Sequence, residues 1–153
     1  MKIKNAARTV IVDENNLVAL IDVRNGEYYK IPGGGIEEGE NEQQAARREA
    51  MEEAGCEIEI VQKISEQQFV DNNPKYGGET THHSVCFLAR KIGKNINTSF
   101  DDWESSNQMK LIWVTFEKAI ELFTNVKTDD FFGSEINKRD FDFVLKARNI
   151  LER

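Results

Sequence analysis

Glu49, Glu52 and Glu53 fall at i, i+3 and i+4, so a helix through them turns three carboxylates to one face. Like-charge neighbours at this spacing each cost about 0.2–0.5 kcal/mol, and Glu52 and Glu53 also occupy the last turn, where the helix dipole disfavours anions. A multivalent hard cation reverses the sign of both penalties, because oxygen ligands converging from one helix face suit Mg²⁺ or Mn²⁺. On an arbitrary helix the same stripe is a solvated acidic face, here offset by Arg47 and Arg48. The surrounding segment separates the two readings. From Gly33 to Cys56 it runs GGGIEEGENEQQAARREAMEEAGC, a glycine run leading into a helix that ends in another glycine. Asn41 as N-cap, Gln44 as its capping-box partner and Gly55 as the C′ residue predict a helix from about residue 42 to about 54. On it Ala46, Ala50 and Ala54 form a second stripe, small enough to lie close against a sheet.

Gly34, five residues, Glu40, seven residues, then Arg48-Glu49-Ala50-Met51-Glu52-Glu53-Ala54-Gly55-Cys56 resembles the Nudix box of the Nudix (MutT-like) hydrolases at every fixed position. Ala50 and Cys56, small but apolar, stand where the family carries bulky aliphatic residues. Charged and glycine positions at fixed spacing make a far more specific signal than a lone glycine motif. The resemblance implies an α+β fold, a Nudix-type α/β/α sandwich with a mixed central sheet. It implies hydrolysis of a nucleoside diphosphate linked to another moiety, by water attack on a phosphorus of the pyrophosphate linkage. Such a linkage repels its nucleophile, so divalent cations must neutralise its oxygens and lower the pKa of a bound water.

By the same resemblance Glu49, Glu52 and Glu53 are the metal ligands and catalytic acids, joined by the backbone carbonyl of Gly33. The cofactor is Mg²⁺, with Mn²⁺ as a substitute. Glycine backbone suits such a place, since a side chain would block metal and phosphate. Arg48 and Glu40 carry over as a structural pair holding loop to helix, with Gly34 and Gly55 supporting the site. The general base is either Glu49 or an acid from a distant loop; Glu104 is the candidate there, with Asp101 and Asp102 behind it, and a solvated acidic loop is the competing and commoner reading of all three.

Outside the box, Arg24 ends a strand shortly before the glycine loop, where it can meet substrate phosphates, and an exposed strand-end charge is an equal reading. Tyr29 is a candidate substrate contact, and Tyr28, Phe131 and Phe132 are further rings able to stack on a base; aromatic residues beside strands and helices more often pack in cores. His82 and His83 open a strand, where one faces inward in a hydrogen-bonded role, and they lack the thiolate or further histidine partners of a zinc site.

The chain of 153 residues fits a single domain spanning 1–153 with one core. With 20 basic against 27 acidic residues the net charge is −7, and the pI is near 5.0. That balance argues against a nucleic-acid polymer or an anionic membrane as partner and allows a small anionic substrate across a cation. Cys56 and Cys86 suggest no disulfide framework. No run is long and apolar enough for a membrane span, and MKIKNAARTVIVDE reaches acid before a signal-peptide core develops, so the expected location is cytoplasmic.

Strand-like runs cover 6–12 and 17–23, separated by the hairpin-turn composition DENN and expected to pair antiparallel; a short strand follows from Tyr28 to Ile31. Further strands are expected at 57–70, Ser84 to Lys91 and Lys110 to Thr115. Polar stretches lie at 71–81 and 93–108, with helices at Phe116 to Phe123 and from about Lys138 to Arg153. The compact chain favours a nucleoside triphosphate, canonical or oxidised, cut to monophosphate and pyrophosphate. Alternatives are ADP-ribose or another nucleotide-sugar or dinucleotide, whose extended pocket a homodimer could supply. A non-catalytic nucleotide-binding module is disfavoured by the intact glutamates.

Overall fold

The computed structural model describes residues 2–73 and 78–152, Trp103 by its backbone only. The elements are β1 (Lys2–Val12), β2 (Val18–Val23), β3 (Tyr28–Lys30), β4 (Gly33–Gly35), α1 (Glu42–Ala54), β5 (Glu57–Asp71), β6 (Thr80–Ile92), α2 (Asp102–Ser106), β7 (Lys110–Val114), α3 (Phe116–Thr124) and α4 (Phe131–Leu151). The strands form one mixed sheet in the order β3-β2-β1-β6-β5, with β4 joined to β1 and β7 to β2. β1 and β6 are parallel, whereas β2, β4 and β5 meet their neighbours antiparallel.

Alternation along the strands builds two cores. Val10, Val12, Val18 and Leu20 turn to one face, where Ala119 and Phe123 of α3 and Phe143, Val144 and Ala147 of α4 cover them. Ile11 and Ala19 turn to the other, against Ala50 and Ala54 of α1. Ala45 and Ala46 extend that contact to Ala7, Val85 and Phe87. The small-residue stripe thus lets α1 lie close on the sheet, giving the α/β/α sandwich.

Both ends of α1 are fixed by its own residues. Asn41 Oδ1 accepts from Gln44 N at 2.8 Å and Gln44 Oε1 from Asn41 N at 2.9 Å, a reciprocal capping box. Gly55 takes the left-handed conformation at φ 61°, and a Cβ there would lie 2.2 Å from Ile96 O. The same glycine's carbonyl accepts from Ile96 N at 2.6 Å, and Glu52 O accepts from Ser99 N at 2.6 Å. These bonds strap the polar segment after β6 across the end of α1 and direct it toward α2.

Several boundaries differ from the sequence expectation. The glycine run, expected as a loop, includes β4, whose Gly33, Gly34 and Gly35 pair with Arg8, Ala7 and Ala6. β1 starts at Lys2 and β6 at Thr80 because the polar ends pair with each other, Lys2 with Thr80 through Asn5 with His83, and backbone pairing needs no apolar pattern. Strand also claims both ends of the expected 71–81 loop, whose residues 74–77 lie outside the described residues. A short helix, α2, interrupts the 93–108 segment, and α4 begins at Phe131 because Asp130 caps it, accepting from Gly133 N at 2.8 Å.

Candidate active site

α1 turns its carboxylates toward β4, and the two elements define a cleft of ≈ 220 Å³ lined by Gly33, Gly34, Gly35, Glu49, Glu52 and Glu104 among others. Glu53 forms its buried base. The residue is 0 % exposed; Oε1 accepts from Gly33 N at 3.0 Å, while Oε2 is buried without a hydrogen bond, its cation Lys30 Nζ standing 3.5 Å away. Glu49 is buried beside it and accepts from Arg48 Nη1 at 2.9 Å through Oε1. Glu52 opens to solvent on the rim, its side chain 40 % exposed.

Glu104 arrives from α2 by local design. Asp101 Oδ1 accepts from Glu104 N at 2.8 Å and Glu104 Oε1 from Asp101 N at 2.9 Å, so this reciprocal pair fixes the side chain at the start of the turn. Glu49, Glu53 and Glu104 each bring one oxygen to a cluster in which these atoms lie within 4.8 Å of one another. Burial and the facing Glu53 carboxylate push Glu104 up to about 8. Glu49 is likewise raised, by burial and then by Glu53. At Glu53 burial works upward, but Lys30, Glu104, the Gly33 N–H and Arg8 outweigh it and hold the group below the usual carboxylate range.

Such a donor set could hold a hard divalent cation: carboxylate oxygens from two elements, one of them buried without a hydrogen bond, and no soft ligand among them. Gly34 keeps the cluster clear, since a Cβ there would lie 2.4 Å from Glu49 Oε1. Arg48 ties loop to helix. Its Nε and Nη2 meet the two Glu40 oxygens at 2.8 and 3.0 Å, Nη2 also donates to Gly35 O at 2.8 Å, and Nη1 reaches Glu52 at 3.4 Å. The guanidinium holds the Glu40 carboxyl down at about 2.

Arg8 and Lys30 line the same cleft, and the sequence reading passed over both. The available signal was a charge inside an otherwise strand-like apolar run, AARTVIV and YYKI. Burial, and then the neighbouring Arg139, lowers the Arg8 guanidinium to about 10.

Arg24 stands elsewhere. It sits at φ 50° in the turn after β2, with Nε 2.7 Å from Glu27, Nη1 donating to Asn107 Oδ1 and its guanidinium carbon 5.6 Å from the Tyr28 ring centroid. There it lines a second, larger cleft of ≈ 780 Å³ together with Lys2, Lys4, Tyr28 and His82. Phe132 borders both clefts. Tyr29 is half-buried against the core under α3 and α4 and lines neither. Asp101 lines the smaller cleft and Asp102 is exposed on α2. Phe131 is exposed, His82 stacks on Phe69 at 4.9 Å and meets Phe132 edge-on at 5.2 Å, and His83 lies 3.3 Å from both Asn5 and Glu66.

The sequence model of the NUDIX domain matches residues 2–133, which include every residue of this cleft except Ile136. The chain belongs to the Nudix family. Among curated proteins it is similar to Nudix hydrolase 4 of Arabidopsis thaliana, 26% identical over 108 residues, covering 71% of this chain and 48% of that one. It is also similar to Nudix hydrolase 21, chloroplastic, of the same plant, 24% identical over 116 residues and covering 76% and 54%. The chain thus spans about half the length of the curated relatives it matches. Two solved structures share the Nudix fold. A NUDIX hydrolase from Nitrosomonas europaea superposes with a TM-score of 0.61 at 15% identity, covering 93% of this chain and 90% of that one. A MutT protein from Methanosarcina mazei Go1 gives 0.60 at 16%, covering 95% and 96%. No helix of the described residues is long and apolar enough to cross a membrane.

Proposed function

We propose that this chain is a cytoplasmic Nudix pyrophosphohydrolase that requires Mg²⁺, with Mn²⁺ as a substitute, and cuts a nucleoside triphosphate to monophosphate and pyrophosphate. The observation that carries the reading is the convergence of Glu49, Glu53 and Glu104, with the buried Glu53 Oε2, which accepts no hydrogen bond, among them, beside glycine backbone. Glu49, Glu52 and Glu53, with the Gly33 carbonyl, would hold the cation. When bound it supplies charge neutralisation for the diphosphate and makes water more acidic.

The chain's own residues do the rest. Glu104 accepts the proton of the attacking water, since Glu49 Oε1 is already engaged by Arg48 and Glu104 reaches the same cluster from α2. Gly33 and Gly34 admit the diphosphate to the cluster, and Arg48 keeps the loop that carries them in register with α1. Arg24 and Tyr28 contact the part of the substrate that extends into the larger cleft.

The size of that cleft favours a second reading, a conjugate such as ADP-ribose or a dinucleotide with its distal moiety beyond Phe132. Incubation with triphosphates, oxidised triphosphates, dinucleotides and nucleotide sugars, followed by ion-exchange separation of products, tests both. Monophosphate with pyrophosphate from triphosphates, abolished by chelation, supports the first. Turnover of conjugates alone moves the assignment to the second, and no turnover across the panel overturns hydrolysis.

A further inference from the structure

Arg8 lines the cleft with its charge turned toward Glu53 and Asp140, and the metal-site reading gives its guanidinium no ligand of its own. Its position on β1 is opposite Gly33, and a Cβ on that glycine would lie 2.6 Å from Arg8 Cδ, so the side chain reaches the cleft only because residue 33 has none. Arg8 Nε is buried without a hydrogen-bond partner. The acids around it, Asp140, Glu53 and Glu49, each already face another cation, Glu49 through Arg48 at 2.9 Å. Asp140 accepts from Arg139 at 2.7 and 3.3 Å and from Ile31 N at 3.0 Å, and Glu53 takes Gly33 N and faces Lys30. Arg139 adds like charge to the surroundings. A guanidinium enclosed among committed acids and another guanidinium is costly in the folded chain, and the ligand that offsets it is an anion presenting two oxygens to its planar fork.

We infer that Arg8 is a substrate-binding residue whose guanidinium takes the non-bridging oxygens of a phosphoryl group of the substrate, across the cleft from the carboxylate cluster. The inference rests on the pyrophosphohydrolase reading and adds a contact to it. Lys30 stands 3.5 Å from Glu53 and balances it directly, whereas Arg8 acts on Glu53 and Asp140 through charge and keeps Nε without a hydrogen bond. Charge is thus divided within one small cleft: acids for the cation on the α1 and α2 side, a guanidinium for the anion on the β1 side.

The test is calorimetric titration of methylenediphosphonate, a non-hydrolysable diphosphate, with Mg²⁺ into the wild type, Arg8→Met and Arg8→Lys, with thermal melting of each and Mn²⁺ affinity measured separately. Arg8→Met is expected to weaken diphosphate binding by about 10- to 100-fold, the worth of charge-assisted hydrogen bonds, while Tm holds, because the half-buried side chain leaves its Nε without a hydrogen bond in the folded chain. Mn²⁺ affinity stays within about twofold, since no cation ligand changes. Arg8→Lys keeps the charge without the fork and weakens binding several-fold. Wild-type binding with unchanged affinity in Arg8→Met overturns the role of Arg8 and leaves the hydrolase reading standing. A lowered Tm with unchanged affinity assigns Arg8 to charge balance, and absence of diphosphate binding in the wild type overturns both readings. Should Arg8→Met not fold, Arg8→Lys decides alone: several-fold weaker binding supports the inference and equal affinity overturns it.

Discussion

Gly34 and Glu49 touch across the loop–helix junction, and a Cβ at residue 34 would stand 2.4 Å from Glu49 Oε1 and 2.7 Å from its carboxyl carbon. The glycine is therefore a spacing device for the acid. Unlike Gly33 and Gly55, Gly34 has no positive φ, so alanine is sterically excluded there by the carboxylate and not by the backbone. Gly34→Ala is expected to displace Glu49 and lower turnover by about 10- to 100-fold, as disturbance of a metal site's support does, with stability changed by less than about 1 kcal/mol. Turnover and urea unfolding of the same preparation measure the two effects.

Arg48 and Glu40 make the stability of the loop depend on pH. The carboxyl is held at about 2 against 4.5 in the unfolded chain, so its contribution is complete above pH 4.5 and is lost as pH falls toward 2. After allowance for solvent screening, the pair is worth about 1–2 kcal/mol at pH 7. Glu40→Gln is expected to remove that amount at pH 7 and only a small part of it at pH 2, read from denaturant unfolding at both values. Arg48→Ala loses more activity than stability, because the same side chain also holds Gly35 O and Glu49.

Glu104 sets a second pH dependence, of opposite sign. Its pKa is raised from 4.5 to about 8, so the metal-free fold binds the extra proton and loses stability as pH rises from 4.5 through 8. A cation bound at the cluster as proposed would have to displace that proton. Its affinity is therefore expected to climb with pH up to about 8, with proton release visible as a buffer-dependent heat of binding, and Glu104→Gln is expected to flatten that climb. The same substitution lowers turnover by about 10²- to 10⁴-fold if Glu104 accepts the water proton.

Glu52 and Glu53 separate catalysis from stability. Both substitutions to Gln are expected to lower turnover by about 100-fold or more, through loss of ligand charge. Glu52, on the rim, leaves stability within about 0.5 kcal/mol of wild type. Glu53→Gln strands Lys30, itself buried, and costs about 1–3 kcal/mol in thermal or urea unfolding.

What the sequence made legible was local. The capping box of Asn41 and Gln44, the C-terminal Gly55 and the alanine stripe lie within a few turns of one another, where spacing dictates contact, and the Arg48–Glu40 pair followed from the family resemblance. What it concealed depends on pairing across the chain. β4 exists because β1 lies beside the glycines, and the strand from Lys2 to Asn5 exists because β6 does. Arg8 and Lys30 enter the site through that pairing, and in sequence they are single charges in strands. Glu104 was legible only as one of several acids; the Asp101–Glu104 reciprocal bonds and the strap from Ile96 and Ser99 to α1 distinguish it from Asp102.

The most direct measurement of the central claim is a Mn²⁺ titration followed by electron paramagnetic resonance, on the wild type and on Glu53→Gln. The account predicts saturable binding in the wild type, competed by Mg²⁺, and binding weakened by an order of magnitude or more, about 10-fold at least, in Glu53→Gln. Equal Mn²⁺ binding by the two proteins would contradict it, because the buried Glu53 oxygen would then have no part in holding the cation.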